Sequence, residues 1–357
     1  MTMKRLYLLL TLSLTAGSLS AEGTHTYWTA DGTVRPLPQD GLTLTVPAEA
    51  AAVDLRGNRL VGDIYTMDVT AANPNCLYYL DGEDYLPQGL DDTRLVVRNY
   101  KLSDFWVDEH YDYYCPMPFD VQTALFTYTP ESGATEDALR SGTLVLPFDV
   151  QRVWLSEVNG SPGIDVALNG PELKICRYQD NLADVLEFEP VGEHRLNAYE
   201  PYLISRVLPS PVTFYAENIT IPATREAVAH GYQFDFVGTT VGQRTSEGVF
   251  CWSGDHNCFY LRDADKTVRP FTAFMSYIYD GFEDEASLET LGFGKLYVVE
   301  SPIDSESATG MDSVSHISNA TNQQAVYTLG GQRLGTTGVN SLKPGLYIVG
   351  GRKIVVK

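Results

Sequence analysis

A mainly β fold is the expectation for this chain, and three observations lead to it. Short alternating runs of β-branched and aromatic residues recur at roughly even spacing, turn residues separate them, and no window sustains an apolar period of 3.6 residues. Such a pattern predicts two β-sandwich-like antiparallel units plus a small C-terminal β-hairpin module. At 357 residues the chain is long enough for two cores.

Taken in order, residues 1–21 read as a signal peptide. Lys4 and Arg5 precede the short apolar run Leu6 to Leu14, and Ser18 to Ala21 offer a small-residue cleavage site, with the cut placed after Ser20 or Ala21. A run of that length is too short to span a bilayer, and no later segment reaches the length of a transmembrane helix. No cysteine precedes Cys76, so no lipid attachment point lies near the cut.

Residues 22–118 form the first β-rich unit. Leu42 to Val46 alternates cleanly, and Pro47 to Leu55 suggests a brief helical turn before a strand. Leu77 to Leu80, Arg94 to Arg98 and Tyr111 to Cys115 are further strand candidates, punctuated by Asp81-Gly82 and Pro87-Gln-Gly89. Residues 119–300 form the second unit. Its candidates are Leu144–Phe148, Arg152–Leu155, Leu173–Arg177, Val185–Phe188, Tyr202–Ser205 and Val212–Tyr215, then Gln233–Val237, Val249–Trp252, Cys258–Leu261 and Lys295–Val299. Residues 301–325 are rich in Ser, Thr, Asn and Gln with too few apolar residues for a core, and read as a polar linker. Residues 326–357 carry one phrase twice, Tyr327 to Leu334 and Tyr347 to Ile354. Each places Gly-Gly between alternating runs, as a β-hairpin requires.

Charge separates the tail from the body. The tail holds Arg333, Lys343, Arg352, Lys353 and Lys357 and no acid. All 46 acidic residues lie between signal and tail, against 18 basic ones (25 less two in the signal and five in the tail), so the body stands near −28. Such a surface repels phosphate backbones and argues against nucleic acid as a partner.

Chemistry is sparse. No Gly-x-Ser-x-Gly elbow and no Gly-rich phosphate loop occurs, and none of His25, His110, His194, His230, His256 and His316 has a second histidine at ligand spacing. No catalytic residue and no metal ligand is therefore assigned. Asp81 to Asp84 and Asp280 to Glu285 are acidic enough for calcium but miss the EF-hand spacing, and a solvated turn is the simpler reading. Of the five cysteines, Cys251 and Cys258 would face each other across a hairpin if residues 253–256 formed its turn, making them a disulfide candidate; two buried thiols are the alternative. The 22 tyrosines are densest from Phe105 to Tyr114. There Trp106, Tyr111 and Tyr113 beside carboxylates could stack on sugar rings, while filling a core is the simpler reading.

The tail, on Tyr327, Gly330, Gly331, Arg333, Pro344, Gly345, Tyr347, Gly350, Gly351 and Lys357, resembles a short form of the C-terminal sorting domain of proteins exported by the type IX pathway of Bacteroidetes. That resemblance implies passage through the periplasm and across the outer membrane, with the secretion machinery as a partner. The body is similar to a segment of adhesin-like surface proteins found beside leucine-rich repeats, though the repeats are absent. The residues carrying this likeness are Val53 to Arg56, Asn73 to Tyr78, Tyr114 to Phe119, Leu146 to Val150, Pro201 to Ile204 and Arg269 to Ala273. Asp312-Ser313-Val314 looks like a Bacteroidetes O-glycosylation acceptor, which makes Ser313 a candidate. The expected function is that of an exported, non-enzymatic surface or secreted binding or structural protein with a protein or glycan ligand. A glycan-binding accessory protein and a hydrolase with a dispersed site are the alternatives.

Overall fold

The structure is a computed structural model and describes residues 25–57, 65–82, 85–91, 93–129, 141–155, 164–167, 173–182, 184–192, 195–206, 211–244, 249–253, 258–262, 267–278, 288, 293–300, 326–328, 333–335, 345–349 and 352–356. Every named element among them is a β-strand. None of the described residues forms a helix long and apolar enough to cross a membrane, which says nothing of crossing by strands.

Two ten-stranded sheets dominate. The first runs, in spatial order, Ile164–Val166, Arg152–Leu155, Val212–Ile221, Phe119–Tyr128, Lys101–Val107, Leu95–Arg98, Leu77–Leu80, Ala50–Asp54, Thr26–Thr29 and Val34–Pro36. It is mixed, not purely antiparallel as expected. Lys101–Val107 lies parallel to Phe119–Tyr128, and Ala50–Asp54, Leu77–Leu80 and Leu95–Arg98 form a parallel run. The boundary expected at residue 118/119 falls inside this sheet, between those two directly paired strands.

The second sheet runs Ser141–Leu144, Tyr202–Arg206, Leu173–Leu182, Val185–Pro190, Lys295–Glu300, Cys258–Leu261, Val249–Ser253, Thr272–Tyr277, Phe234–Thr239 and Ala227–Ala229. Phe188, Phe259, Phe250, Met275, Phe236 and Phe234 project from one face of it into a single core, so the sheet curls into a half-barrel. Alternation in the sequence places these residues together, since positions two apart share a face. The curl is pinned by Thr143, whose Oγ1 donates to the Ala273 carbonyl and accepts from the Ala273 amide, both at 2.8 Å.

The sheets share a second core. Ile175, Tyr202 and Ile204 on the outer side of the curl pack with Phe105, Phe126, Phe214 and their neighbours on the inner face of the first sheet. Each fully buried Phe there is worth roughly 1.5–3 kcal/mol of transfer free energy. Among the described residues, the opposite face of the first sheet is covered at one end only. Tyr27, Val53, Tyr78 and Val96 meet Leu44 and Met67 of a small sheet made of Gln39–Asp40, Thr43–Thr45 and Thr66–Asp68.

One local expectation needs correction. The strand expected at Tyr111–Cys115 is a loop, because side chains satisfy its backbone in place of a ladder. Asn75 Nδ2 donates to the carbonyls of Asp108 (2.9 Å) and Tyr111 (2.8 Å), and Asn75 Oδ1 accepts from the Asp108 amide (2.7 Å). Asn73 Nδ2 holds the Asp112 carbonyl at 2.7 Å. Within Pro47–Leu55 a single hydrogen-bonded turn, the Ala50 amide donating to the Pro47 carbonyl at 3.0 Å, leads into the strand Ala50–Asp54.

The tail is a separate four-stranded sheet in the order Arg333–Gly335, Val326–Thr328, Gly345–Val349, Arg352–Val356. Val349 pairs with Arg352, the register of the two-residue hairpin expected across Gly350-Gly351. Tyr327 pairs with Arg333 across the first phrase, leaving a longer connection. Tyr327, Arg333, Gly345 and Tyr347 thus lie on paired strands. Gly330, Gly331, Pro344, Gly350, Gly351, Lys357 and Ser313 lie outside the described residues, as do 83, 84 and 280–285 of the two calcium-candidate loops.

Candidate functional site

Where the small sheet ends, no strand among the described residues covers the outer face of the first large sheet over Lys101–Val107, Phe119–Tyr128, Val212–Ile221 and Arg152–Leu155. Register places Trp106, Leu125, Tyr215 and Arg152 in one row across these four strands. The neighbouring outer row holds Thr127, Thr213 and Trp154. Trp106 is 40% and Trp154 46% exposed, high values for indoles on a sheet. Trp154 meets the Tyr215 ring edge-on, with centroids 6.5 Å apart. The Tyr215 hydroxyl donates to Glu217, and that hydrogen bond to a carboxylate raises the phenol above its ordinary range.

A backbone irregularity adds polar groups to this face. Phe119 and Val121 point inward, but so do Ala124 and Phe126, so the alternation slips between Gln122 and Thr123. The same slip occurs at Ser103-Asp104 and at Glu217-Asn218 on the flanking strands, and Asn218 adopts φ +51°. Pairing on either side stays in phase, Leu102 with Val121 with Ile219 and Asp104 with Thr123 with Glu217. Three adjacent strands therefore kink together, and two successive rows, Ser103-Gln122-Asn218 and Asp104-Thr123-Glu217, both face solvent. Gln151 anchors the kink, donating from Nε2 to the Glu217 carbonyl and accepting at Oε1 from its amide, each at 3.0 Å.

Beside the kink lies a groove of about 940 Å³, whose lining includes Arg94, Val96, Arg98, Lys101, Asp104, Trp106, Asp120 and Gln122. Its rim is the Asn99-Tyr100 turn, with φ +48° and +58°, which sets Arg98 opposite Lys101. A tyrosine in that backbone region is strained. Arg56 holds it: Nη1 donates to the Tyr100 hydroxyl at 2.6 Å, while Nε and Nη2 grip Asp54 at 2.8 Å each. Asp120 lies directly across from Lys101, its amide donating to the Tyr100 carbonyl at 2.8 Å and its Oδ1 accepting from Thr220 Oγ1 at 2.6 Å.

The aromatic candidates of the sequence divide here. Trp106 lies on the open face and lines the groove, and Tyr111 is exposed on the clamped loop, 44% accessible. Tyr113 is fully buried, packed edge-on against Phe105, and cannot stack on a ligand. Trp154, Tyr215, Arg94, Arg98 and Lys101 were not singled out from the sequence. Alternation carried a signal for the first two, since inward Val153 and Leu155 force Trp154 outward, and inward Val212 and Phe214 do the same for Tyr215.

The cysteines are free thiols. The hairpin turn falls one residue later than expected, so Cys251 pairs with Tyr260 and Cys258 with Ser253. Diagonal partners sit roughly 7–8 Å apart at Cα, beyond disulfide reach. Burial raises every thiol, Cys115 to about 11 and Cys76 and Cys176 to about 12, which keeps them protonated and unreactive. Among the described residues no group of three His, Cys, Asp or Glu side chains is arranged to hold a metal ion. Comparison with protein-family models, curated protein sequences and solved structures finds no match to this chain.

Proposed function

We propose that this is an exported, non-enzymatic binding protein whose ligand is a glycan, held on the open face of the first sheet. The observation that carries the reading is the uncovered aromatic row, Trp106 and Tyr215 with Trp154 beside it, flanked by the outward Asp104 and Glu217. Flat apolar rings offer stacking area to the C–H faces of a sugar, and carboxylates and amides around them accept or donate hydrogen bonds to its hydroxyls. The two large sheets, in this reading, act as a sandwich-like scaffold that keeps the face rigid. Residues 1–21 serve as the export signal and residues 326–357 as the sorting module, and the protein works at the cell surface or outside the cell.

Screening the full exported chain against an array of oligosaccharides tests the binding reading. Binding should appear and should fall roughly 5- to 30-fold in Trp106→Ala and Trp154→Ala, each worth roughly 1–2 kcal/mol of lost stacking. Absence of any hit at a density where a lectin control responds would refute it. Deleting residues 326–357 and fractionating cells tests the export reading; undiminished surface delivery would overturn that part alone.

A further inference from the structure

We infer that the glycan is an extended chain of equatorially linked pyranoses, the β-1,4 arrangement, lying across the strands with one ring over each of three neighbours. The inference rests on the glycan-binding proposal and narrows it to a linkage class. Trp106 and Tyr215 are cross-strand partners of the same residue, Leu125, so the three side chains form an apolar stripe running across the strands. Adjacent strands lie about 4.8 Å apart, which sets the two aromatic positions roughly 10 Å from each other. The stripe is bounded at both ends. Past Tyr215 the row continues with the exposed Arg152, which is not apolar. Past Trp106 the next strand of the sheet, Leu95–Arg98, pairs only at Lys101, so among the described residues no strand runs alongside the indole.

A pyranose chain joined through equatorial bonds extends as a flat ribbon and advances by about one strand spacing per ring. Successive rings turn over, so the first and third offer the same face. Set across the sheet, the first ring stacks on Trp106, the middle ring covers Leu125 and the third stacks on Tyr215. An axial α-1,4 linkage bends the chain at every step and lifts the third ring off the stripe. Alongside the stripe, two residues along each strand, run Asp104, Thr123 and Glu217, one polar group per strand. Each ring therefore has a hydrogen-bonding side chain beside its hydroxyl-bearing edge. Trp154 meets Tyr215 at 72° with centroids 6.5 Å apart, and the two rings form a corner that receives the third sugar.

Calorimetric titration of the full chain with β-1,4-linked oligosaccharides of glucose, mannose, xylose and N-acetylglucosamine, in lengths from disaccharide to hexasaccharide, tests this against maltohexaose as the α-1,4 control. At least one β-1,4 series should bind, its hexasaccharide about 10-fold or more tighter than maltohexaose. Its largest single gain, roughly 5- to 30-fold, should come between di- and trisaccharide, where the second aromatic contact is added. Tyr215→Ala should erase that gain, and Tyr215→Phe, which keeps the ring, should retain it. The length series on the parent chain decides the matter by itself if Tyr215→Ala does not fold. A largest gain at any other length, or a gain kept in folded Tyr215→Ala, overturns the inference and leaves the glycan reading standing. Binding confined to maltohexaose or to other linkages on the oligosaccharide array does the same. Failure of every glycan to bind overturns both readings.

Discussion

Replacing Asn75 by alanine tests how the loop that follows the Trp106 strand is held. Asn75 is fully buried, and its amide makes three hydrogen bonds: to the Asp108 carbonyl, to the Tyr111 carbonyl and from the Asp108 amide, at 2.9, 2.8 and 2.7 Å. Alanine strands all three backbone groups in a region where water replaces them poorly. A stranded buried group costs about 1–3 kcal/mol, so a loss of roughly 3–5 kcal/mol is expected after partial relaxation. For a chain of this size that corresponds to a fall in Tm of about 4–7 °C. Asn75→Asp refines the test, since it keeps the acceptor for the Asp108 amide but loses both donors and buries a charge; it should destabilise by a comparable amount. Calorimetric or circular-dichroism melts of the full chain at pH 7 provide the readout. An Asn75→Ala protein melting within 2 °C of the parent, or an Asn75→Asp protein as stable as the parent, would refute the clamp.

Thr143→Val removes both hydrogen bonds that pin the half-barrel at Ala273, so chemical denaturation should show a loss of about 2–4 kcal/mol, whereas Thr143→Ser should retain most of the stability. Gly89 sits at φ +96°, and a Cβ there would lie 2.1 Å from the Met67 carbonyl oxygen; Gly89→Ala should cost at least ~1–3 kcal/mol from backbone strain alone, read as a lower urea midpoint. His25 is buried with Nε2 unpartnered, and burial holds its pKa below the ordinary 6.5. As pH falls below about 6.5 the unfolded chain takes up a proton that the folded chain resists, so stability declines toward acid until the folded His25 titrates. Glu109 and Asp184, raised by burial, act with the opposite sign. His25→Phe, which preserves the edge contact with Tyr65, isolates the histidine: its Tm should fall less than the parent's between pH 7.5 and 5.5, and parallel curves would count against this assignment.

Much of the fold was legible because most strands alternate cleanly. Lys295–Glu300, Val185–Pro190 and Val212–Ile221 were all expected at nearly their observed starts. Two central strands were not found, Lys101–Val107 and the ten-residue Phe119–Tyr128. Each contains the slip in alternation, so a period-2 reading sees two short fragments out of phase. Thr272–Tyr277 was missed for a different reason: Ala273, Phe274 and Met275 are all buried, and a strand covered on both faces shows no alternation. Tyr111–Cys115 failed in reverse, its aromatic alternation being real while Asn73 and Asn75, far off in sequence, took its backbone hydrogen bonds. Parallel pairing, set by chain crossovers, left no local mark.

The kink that hid the central strands from the sequence is also what gives the proposed site its character. In a regular sheet the row next to Trp106-Leu125-Tyr215 is the inward Phe105-Ala124-Ala216, and the following outward row is separated from the next by another inward one. The slip removes one inward row, so Asp104 and Glu217 are followed directly by Gln122 and Asn218 on the solvent side. Acceptors and amides are thereby concentrated within three residues of the aromatic row. Shared by three strands in phase, the slip costs two ladder pairs, Gln122 with Ser103 and Gln122 with Asn218, and Asn218 takes up a backbone conformation that asparagine tolerates better than most residues. Gln151, just before the strand beyond, satisfies the Glu217 amide and carbonyl next to the slip. A deformation that was only a folding defect would have no reason to gather polar side chains next to exposed aromatics; one that shapes a ligand face would. Restoring alternation by deleting Ser103, Gln122 and Asn218 together should therefore return a sheet that folds but no longer binds glycan. Retained binding in a folded triple deletion would separate the kink from the function.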